Sequence, residues 1–269
     1  MKNMRIRELY YSNTNTYLIQ GEEGCLLFDT GWAGTFPAFC HTMGDMNIPV
    51  QDIDYILISH YHPDHMGIAQ EIADLGPVIL VADIQRNHIH NSDSVFTKEG
   101  KMQFCPIRDS NVRFFPIREG RSKLKEIGID GQVIHTPGHS DDSISLLLDD
   151  GSLFVGDLNP LYEVELHRGT LIEDSWNKLM ALAPKTVYYG HAKSVSVSDP
   201  AMGRSEEKKD LYAIVAQIMK LTDKGYDISK IRKKTLCDES FIQDVMRMYL
   251  THQNVGVQGI LDRIEIKNR

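Results

Sequence analysis

Within the segment Ser59-His60-Tyr61-His62-Pro63-Asp64-His65 the chain places three imidazoles and a carboxylate almost side by side. The apolar run Tyr55-Ile56-Leu57-Ile58 precedes it, and residues with helical apolar spacing (Ile68, Ile72, Leu75) follow. Imidazole nitrogen and carboxylate oxygen are the donors that suit zinc and related divalent metals. His60 and His62 are two apart, so an extended backbone turns both to one side. Asp64 and His65 fall at the turn where a helix begins, positioned to face a second ion. Strand, ligand-bearing loop and helix are therefore expected in direct succession.

Three further signals follow in order: Thr136-Pro137-Gly138-His139, Gly156-Asp157 and Tyr188-Tyr189-Gly190-His191. Alone, each is ordinary; a single histidine is usually a surface or hydrogen-bonded group, and Gly-Asp is usually a turn. Each comes directly after an expected strand, where a rigid scaffold presents functional loops. With the first segment they form a candidate set of seven: His60, His62, Asp64, His65, His139, Asp157 and His191. His41, His88, His90, His135, His167 and His252 lack this context, and His135 is expected to be structural.

Two hairpins are expected, Thr16 to Gln20 with Cys25 to Asp29, and Ser143 to Leu148 with Ser152 to Val155. Their connections, Gly21-Glu22-Glu23-Gly24 and Asp149-Asp150-Gly151, carry the glycines that tight turns require. Further strands are expected at Tyr55 to Ser59, Val78 to Val81, Val112 to Pro116, Gln132 to Thr136 and Thr186 to Tyr189. Helices are expected at Phe36 to Met46, Asp64 to Leu75 and Asp174 to Leu182. Alternating strands and helices interrupted by hairpins point to helices layered over mixed sheets. The last part reads as helical, with Ser205 as N-cap and Glu206 and Glu207 in the first turn. Apolar stripes follow at Leu211, Ile214, Val215, Ile218, then Phe241, Val245, Met248, Tyr249, then Val257, Ile260, Leu261, Ile264. This divides the chain into a core, residues 1–202, and a helical extension, residues 203–269, packed on the core or on a second subunit as a homodimer.

The formal net charge is −8 over 269 residues. Nucleic-acid binding draws most of its affinity from a basic surplus, so no nucleic acid is expected as partner. Arg232, Lys233 and Lys234 form the densest basic run and read as a solvated helix end. No apolar run approaches the ~20 residues of a membrane helix, and the first ten residues have no signal-peptide core. Cys25, Cys40, Cys105 and Cys237 are scattered and read as packing residues of a reduced, cytoplasmic protein.

On these residues the chain resembles the metallo-β-lactamase superfamily, over roughly residues 10 to 195. Phe28-Asp29-Thr30-Gly31 resembles that family's first motif, and its aspartate is usually a structural support of the ligands. His60, His62, Asp64 and His65 match the second motif, His139 the third, Asp157 the fourth and His191 the fifth. The resemblance implies an α/β (α+β) fold, a four-layer αβ/βα sandwich with the site along one edge. It also implies that His60, His62 and His139 hold one ion, that Asp64, His65 and His191 hold another, and that Asp157 bridges them. Zn2+ is the expected metal, with Fe or Mn as alternatives.

A water held between two cations loses a proton near neutral pH and becomes a nucleophile. The expected function is therefore a metal-dependent hydrolase of an ester, thioester or lactone carbonyl in a small-molecule substrate, with Asp64 and Asp157 as the catalytic carboxylates. Phosphodiester hydrolysis and an iron-dependent persulfide dioxygenase are the alternatives. The oxygen-reducing branch of the family usually has Glu where this chain has His62, which favours hydrolysis. Family lactonases place a tyrosine three residues after the bridging aspartate; here Pro160 stands there and Tyr162 comes two residues later. Glyoxalase II-like thioesterases use basic residues to grip their substrate, for which Arg168 and Lys193 are candidates. Ala82 to Asn111 and Asn159 to Thr170 are expected to shape the pocket.

Overall fold

The computed structural model describes residues 4–99, 103–198, 209–251 and 256–267. The first sheet has six strands in sequential order: β1 (Arg5–Leu9), β2 (Thr16–Gln20), β3 (Cys25–Phe28), β4 (Tyr55–Leu57), β5 (Val78–Ala82) and β6 (Val112–Phe115). β1, β2 and β3 form an antiparallel meander, and β3 to β6 run parallel. The second sheet contains β7 (Gly131–His135), β8 (Ile144–Leu148), β9 (Ser152–Phe154), β10 (Thr186–Tyr188) and β11 (Val195–Ser196), ordered β11-β10-β9-β8-β7.

Alternation along the strands decides which layer each side chain joins. Leu26 and Phe28 of β3, and Tyr55 and Leu57 of β4, pack between the sheets against Ile144, Leu146, Leu148 and Phe154. Leu27 and Ile56 point the other way, into a core with Phe39, Met43, Ile68 and Ile72. Those residues belong to α1 (Phe36–Asp45) and to the segment around α2 (Pro63–Met66) and α3 (Ala69–Ala73). On the outer face of the second sheet, Leu147, Leu153 and Val187 pack on Ile172, Trp176 and Leu179. The last three come from a later helix, Leu171–Met180. Helix, sheet, sheet, helix is the four-layer sandwich that the family resemblance implies.

The single helix expected from Asp64 to Leu75 is two, α2 and α3, broken at Gly67 and Ile68. Gly67 donates to the Gly31 carbonyl at 2.8 Å, and a Cβ there would strike the backbone of Trp32 and Ala33. This close tertiary approach bends the chain between the turn carrying Asp64 and His65 and the helix that covers the sheet. The segment 82–111 contains α4 (Asp93–Glu99). Ile89, Phe96 and Ile107 bury it in the outer core of the first sheet, so much of this segment packs. α5 (Gly120–Lys125) precedes β7, and α6 (Leu171–Met180) begins three residues before the expected start.

The C-terminal helices are α7 (Lys209–Asp223), α8 (Ile228–Thr235), α9 (Glu239–Thr251) and α10 (Val257–Lys267). Val215, Ile218, Ile231, Ile242, Val245, Ile260 and Leu261 give them a core of their own. Arg232, Lys233 and Lys234 fall in the last turn of α8, where cations suit the helix dipole. The expected boundary at Gly203, the cap Ser205 and the acids Glu206 and Glu207 lie outside the described residues. Cys25 is buried, and Cys40, Cys105 and Cys237 are partly buried and unbridged. Among the described residues no helix is long and apolar enough to cross a membrane.

Candidate metal centre

All seven candidate residues meet at one edge of the sandwich, delivered by both sheets. β4 leads to His60 and His62, and α2 carries Asp64 and His65; β7 leads to His139, β9 to Asp157 and β10 to His191. They form two groups, His60 with His62 and His139, and Asp64 with His65, Asp157 and His191. Within each group the potential ligand atoms lie within 4.8 Å of one another. Asp157 faces both. Its Oδ2 is 3.6 Å from His139 Nε2, while its Oδ1 is 3.2 Å from His65 Nε2 and 3.4 Å from His191 Nε2.

Hydrogen bonds to the far nitrogens fix the rings. The Asp29 carboxylate accepts from the Ser59 amide at 2.7 Å, from the Ser59 hydroxyl at 2.8 Å and from His65 Nδ1 at 2.8 Å. Ser59 Oγ, its proton given to Asp29, accepts from His60 Nδ1 at 3.0 Å. The Asn13 carbonyl accepts from His191 Nδ1 at 2.9 Å. These three rings therefore aim Nε2 at the centre, the arrangement in which outer partners orient metal-binding histidines. Asp29 holds its place in a left-handed backbone conformation, φ 61°, which a short polar side chain tolerates better than most. Sequence reasoning assigns no role to Ser59 or Asn13; only the position of Ser59 beside His60 signals one.

Backbone ties hold the loops. Gln85, buried, donates through its amide to the carbonyls of Ile58 and Asp142 at 3.0 and 3.1 Å. Asp142 accepts from the Tyr61 amide at 2.8 Å. The sheets are joined beside the site, where Asn15 donates to the carbonyls of Tyr189 and Ala192, both at 2.9 Å. Gly190 lies so close that a Cβ would sit 2.7 Å from Asp157 Oδ1 and 2.8 Å from His65 Cε1.

The donor set fits metal ions. His60 Nε2 is buried and, among the described residues, has no hydrogen-bond partner, a costly arrangement for a polar atom facing only protein; His65 Nε2 and Asp157 Oδ1 are buried 3.2 Å apart. His62 Nδ1 and His139 Nε2 approach to 3.0 Å, close for two nitrogens that each offer a lone pair when their rings are ligands. Burial raises the Asp64 carboxyl, but His65 and His191 outweigh it and hold it at about 2. Asp157 is likewise held well below the carboxylate range, burial being overcome by His191, His65 and His139. Burial pushes His60 down, with His65 and His139 adding to it. Burial also takes His139 to about 4 against the pull of Asp157. In His65 and His191 burial is overcome by Asp157 and neighbouring carboxylates, so both are raised. The shifts thus run downward in His60 and His139 and upward in His65 and His191.

The sequence profile of the metallo-beta-lactamase superfamily matches residues 9–191. The chain belongs to the metallo-beta-lactamase superfamily. This superfamily member is 28% identical over 190 residues to a beta-lactamase-like protein 2 homolog of Drosophila melanogaster, covering 68% of this chain and 59% of the relative. A probable metallo-hydrolase of Methanocaldococcus jannaschii is 29% identical over 194 residues, covering 68% and 90%. An atrochrysone carboxyl ACP thioesterase of Aspergillus fumigatus is 29% identical over 151 residues, covering 54% of this chain and 29% of the relative. Among solved structures, a metallo-beta-lactamase family protein from Thermus thermophilus shares the fold with a TM-score of 0.53 at 20% identity, covering 94% of this chain and 93% of that one.

The remaining candidates are placed differently. Arg168 and Lys193 are exposed, and neither lines the cleft beside Asp157 and His191. The backbone of Tyr162 lies in the 3-10 segment Leu161–His167, while its side chain lies outside the described residues. Pro160 lines the cleft, as does Arg263 from α10. Arg263 escapes sequence reading because one arginine in a C-terminal helix carries no motif.

Proposed function

We propose that the chain is a dinuclear metal-dependent hydrolase of an ester, thioester or lactone carbonyl. The carrying observation is Asp157, whose two oxygens face two separate clusters of nitrogen and oxygen donors. His60, His62 and His139 would hold one ion, and Asp64, His65 and His191 the other, with Asp157 shared. Zn2+ suits this donor set, and iron or manganese would fit the same oxygens and nitrogens. Bound there, two divalent cations supply Lewis acidity toward a carbonyl oxygen and acidify a water to near neutral pH.

The chain's own groups do the rest. Asp29 and Ser59 keep the Nε2 atoms of His65 and His60 aimed at the centre. Asp64, low in pKa and 2.9 Å from His191 Nε2, is an ionised acceptor at the water's edge and orients its proton. His62 is exposed, which leaves the mouth open to a small-molecule substrate. The likeness to a carrier-protein thioesterase supports a thioester among the carbonyl substrates, and the acidic net charge speaks against a nucleic acid.

The test joins metal analysis to a substrate panel of p-nitrophenyl esters, S-lactoylglutathione, homoserine lactones and bis-p-nitrophenyl phosphate. Chelator-sensitive cleavage of a carbonyl substrate, lost in Asp64→Ala, is expected. Fully metallated protein that cleaves none of the panel would remove the hydrolase reading. Cleavage of only the phosphodiester would replace the carbonyl, and thiol-dependent oxygen uptake with stoichiometric iron would replace hydrolysis altogether.

A further inference from the structure

Asp157, Leu158, Pro160, Tyr189 and His191 wall a cleft of about 190 Å³, counting its open mouth. Arg263 reaches that wall from α10, at the other end of the chain. Its Nη1 donates to the Gly259 carbonyl at 3.1 Å. Its Nε is buried and, among the described residues, has no hydrogen-bond partner. Glu163, 2% exposed, is the nearby acid whose charge would suit this guanidinium. It is turned instead to the start of α10, accepting from the amides of Gly256 at 2.8 Å and Gly259 at 3.2 Å. The segment after Asp157 thereby clasps the helix and sets Arg263 beside the metal centre.

A buried guanidinium donor without an acceptor is disfavoured unless an acceptor arrives with a ligand. We infer that Arg263 anchors an anionic group of the substrate, a carboxylate or a phosphate, while the reacting carbonyl lies beside Asp157 and His191. This deepens the hydrolase reading and rests on it. Both anions offer paired oxygens that match the guanidinium fork. The protein carries a net charge of −8, which repels an anion at long range, so a local cation has to hold it. Glu163 acts as a positioning residue for Arg263 through α10.

The experiment compares the metal-loaded full chain with Arg263→Ala and Arg263→Lys. Isothermal titration calorimetry measures the binding of succinate and of inorganic phosphate. Kinetics compare mono-p-nitrophenyl succinate with p-nitrophenyl acetate. The alanine variant is expected to weaken at least one anion about tenfold or more, as for a lost charge-assisted hydrogen bond, and lysine to restore part of it. Whichever anion is lost names the group. The fall in kcat/KM is expected to be about tenfold larger for the succinate ester than for the acetate, carried mainly in KM. Binding of both anions by Arg263→Ala within twofold of the unaltered protein overturns the assignment, as does failure of the unaltered protein to bind either. Should neither ester be hydrolysed, the hydrolase reading fails alone, because the calorimetry still decides Arg263.

Discussion

The Asp29 carboxylate lies 2.8 Å from Nδ1 of His65, and both side chains are essentially sealed from solvent. The same carboxylate holds Ser59, which in turn holds His60. One acid thus orients a ring in each ligand group without facing either proposed ion. Replacing Asp29 by Asn keeps the shape and removes the charge, and metal affinity should fall about 10- to 100-fold. Competition with a chromogenic chelator measures this; affinity within twofold of the unaltered protein would show that Asp29 serves the backbone alone.

Metal uptake should release protons and tighten as pH rises. Carboxylate neighbours raise His65 and His191 above the ordinary imidazole value, so metal-free protein keeps their protons to a higher pH than a free imidazole would. A metal takes the neutral ring, so those protons must leave. His139, held at about 4, has no proton to lose there. Affinity therefore falls as pH drops below the raised values. Calorimetry in buffers of different ionisation enthalpy counts the protons; a buffer-independent heat would contradict the assignment.

Gly190→Ala should damage the centre without altering a ligand. The new methyl would stand 2.7 Å from Asp157 Oδ1 and 2.8 Å from His65 Cε1. Overpacking of this kind costs about 1–3 kcal/mol, and here it falls on two ligand residues at once. Lower metal content per chain with an unchanged far-ultraviolet circular dichroism spectrum is expected. Full metal occupancy would mean that the loop carrying His191 shifts easily.

Glu163 should make the fold less stable toward neutral pH. Burial raises its carboxyl despite Arg263 and the helix amides, so the folded chain binds that proton more tightly than the unfolded chain does. Stability from this group is complete below the unfolded value of about 4.3 and is lost as pH rises through the raised folded value. In thermal unfolding, Glu163→Gln should show a flatter decline over that window than the unaltered chain. Parallel curves would place the charge in solvent.

The strands facing both cores are legible because their apolar runs are short and bounded by turns. β2, β3, β4, β8 and β9 fall where those runs predict. β1 escapes such a reading because Arg-Ile-Arg-Glu-Leu is an edge strand with charge along its length and only Leu9 buried. The break between α2 and α3 is invisible in sequence because it depends on the backbone of Trp32 and Ala33, distant along the chain, leaving no space beside Gly67. The seven candidate ligands, which the fold gathers in two groups, are picked out by residue type and order. The hydrogen bonds of Ser59 and Asn13, and the arrival of Arg263 from α10, depend on tertiary contacts with no local signature.

His60, His62, Asp64 and His65 ride on one half of the sandwich, and His139, Asp157 and His191 on the other. Neither half alone can assemble the cage. A core substitution between the halves, in Phe28 or Phe154 for instance, would therefore act as a remote dial on affinity at the rim. Chelation should in turn free the halves to slide, making proteolytic susceptibility along their seam a gauge of occupancy.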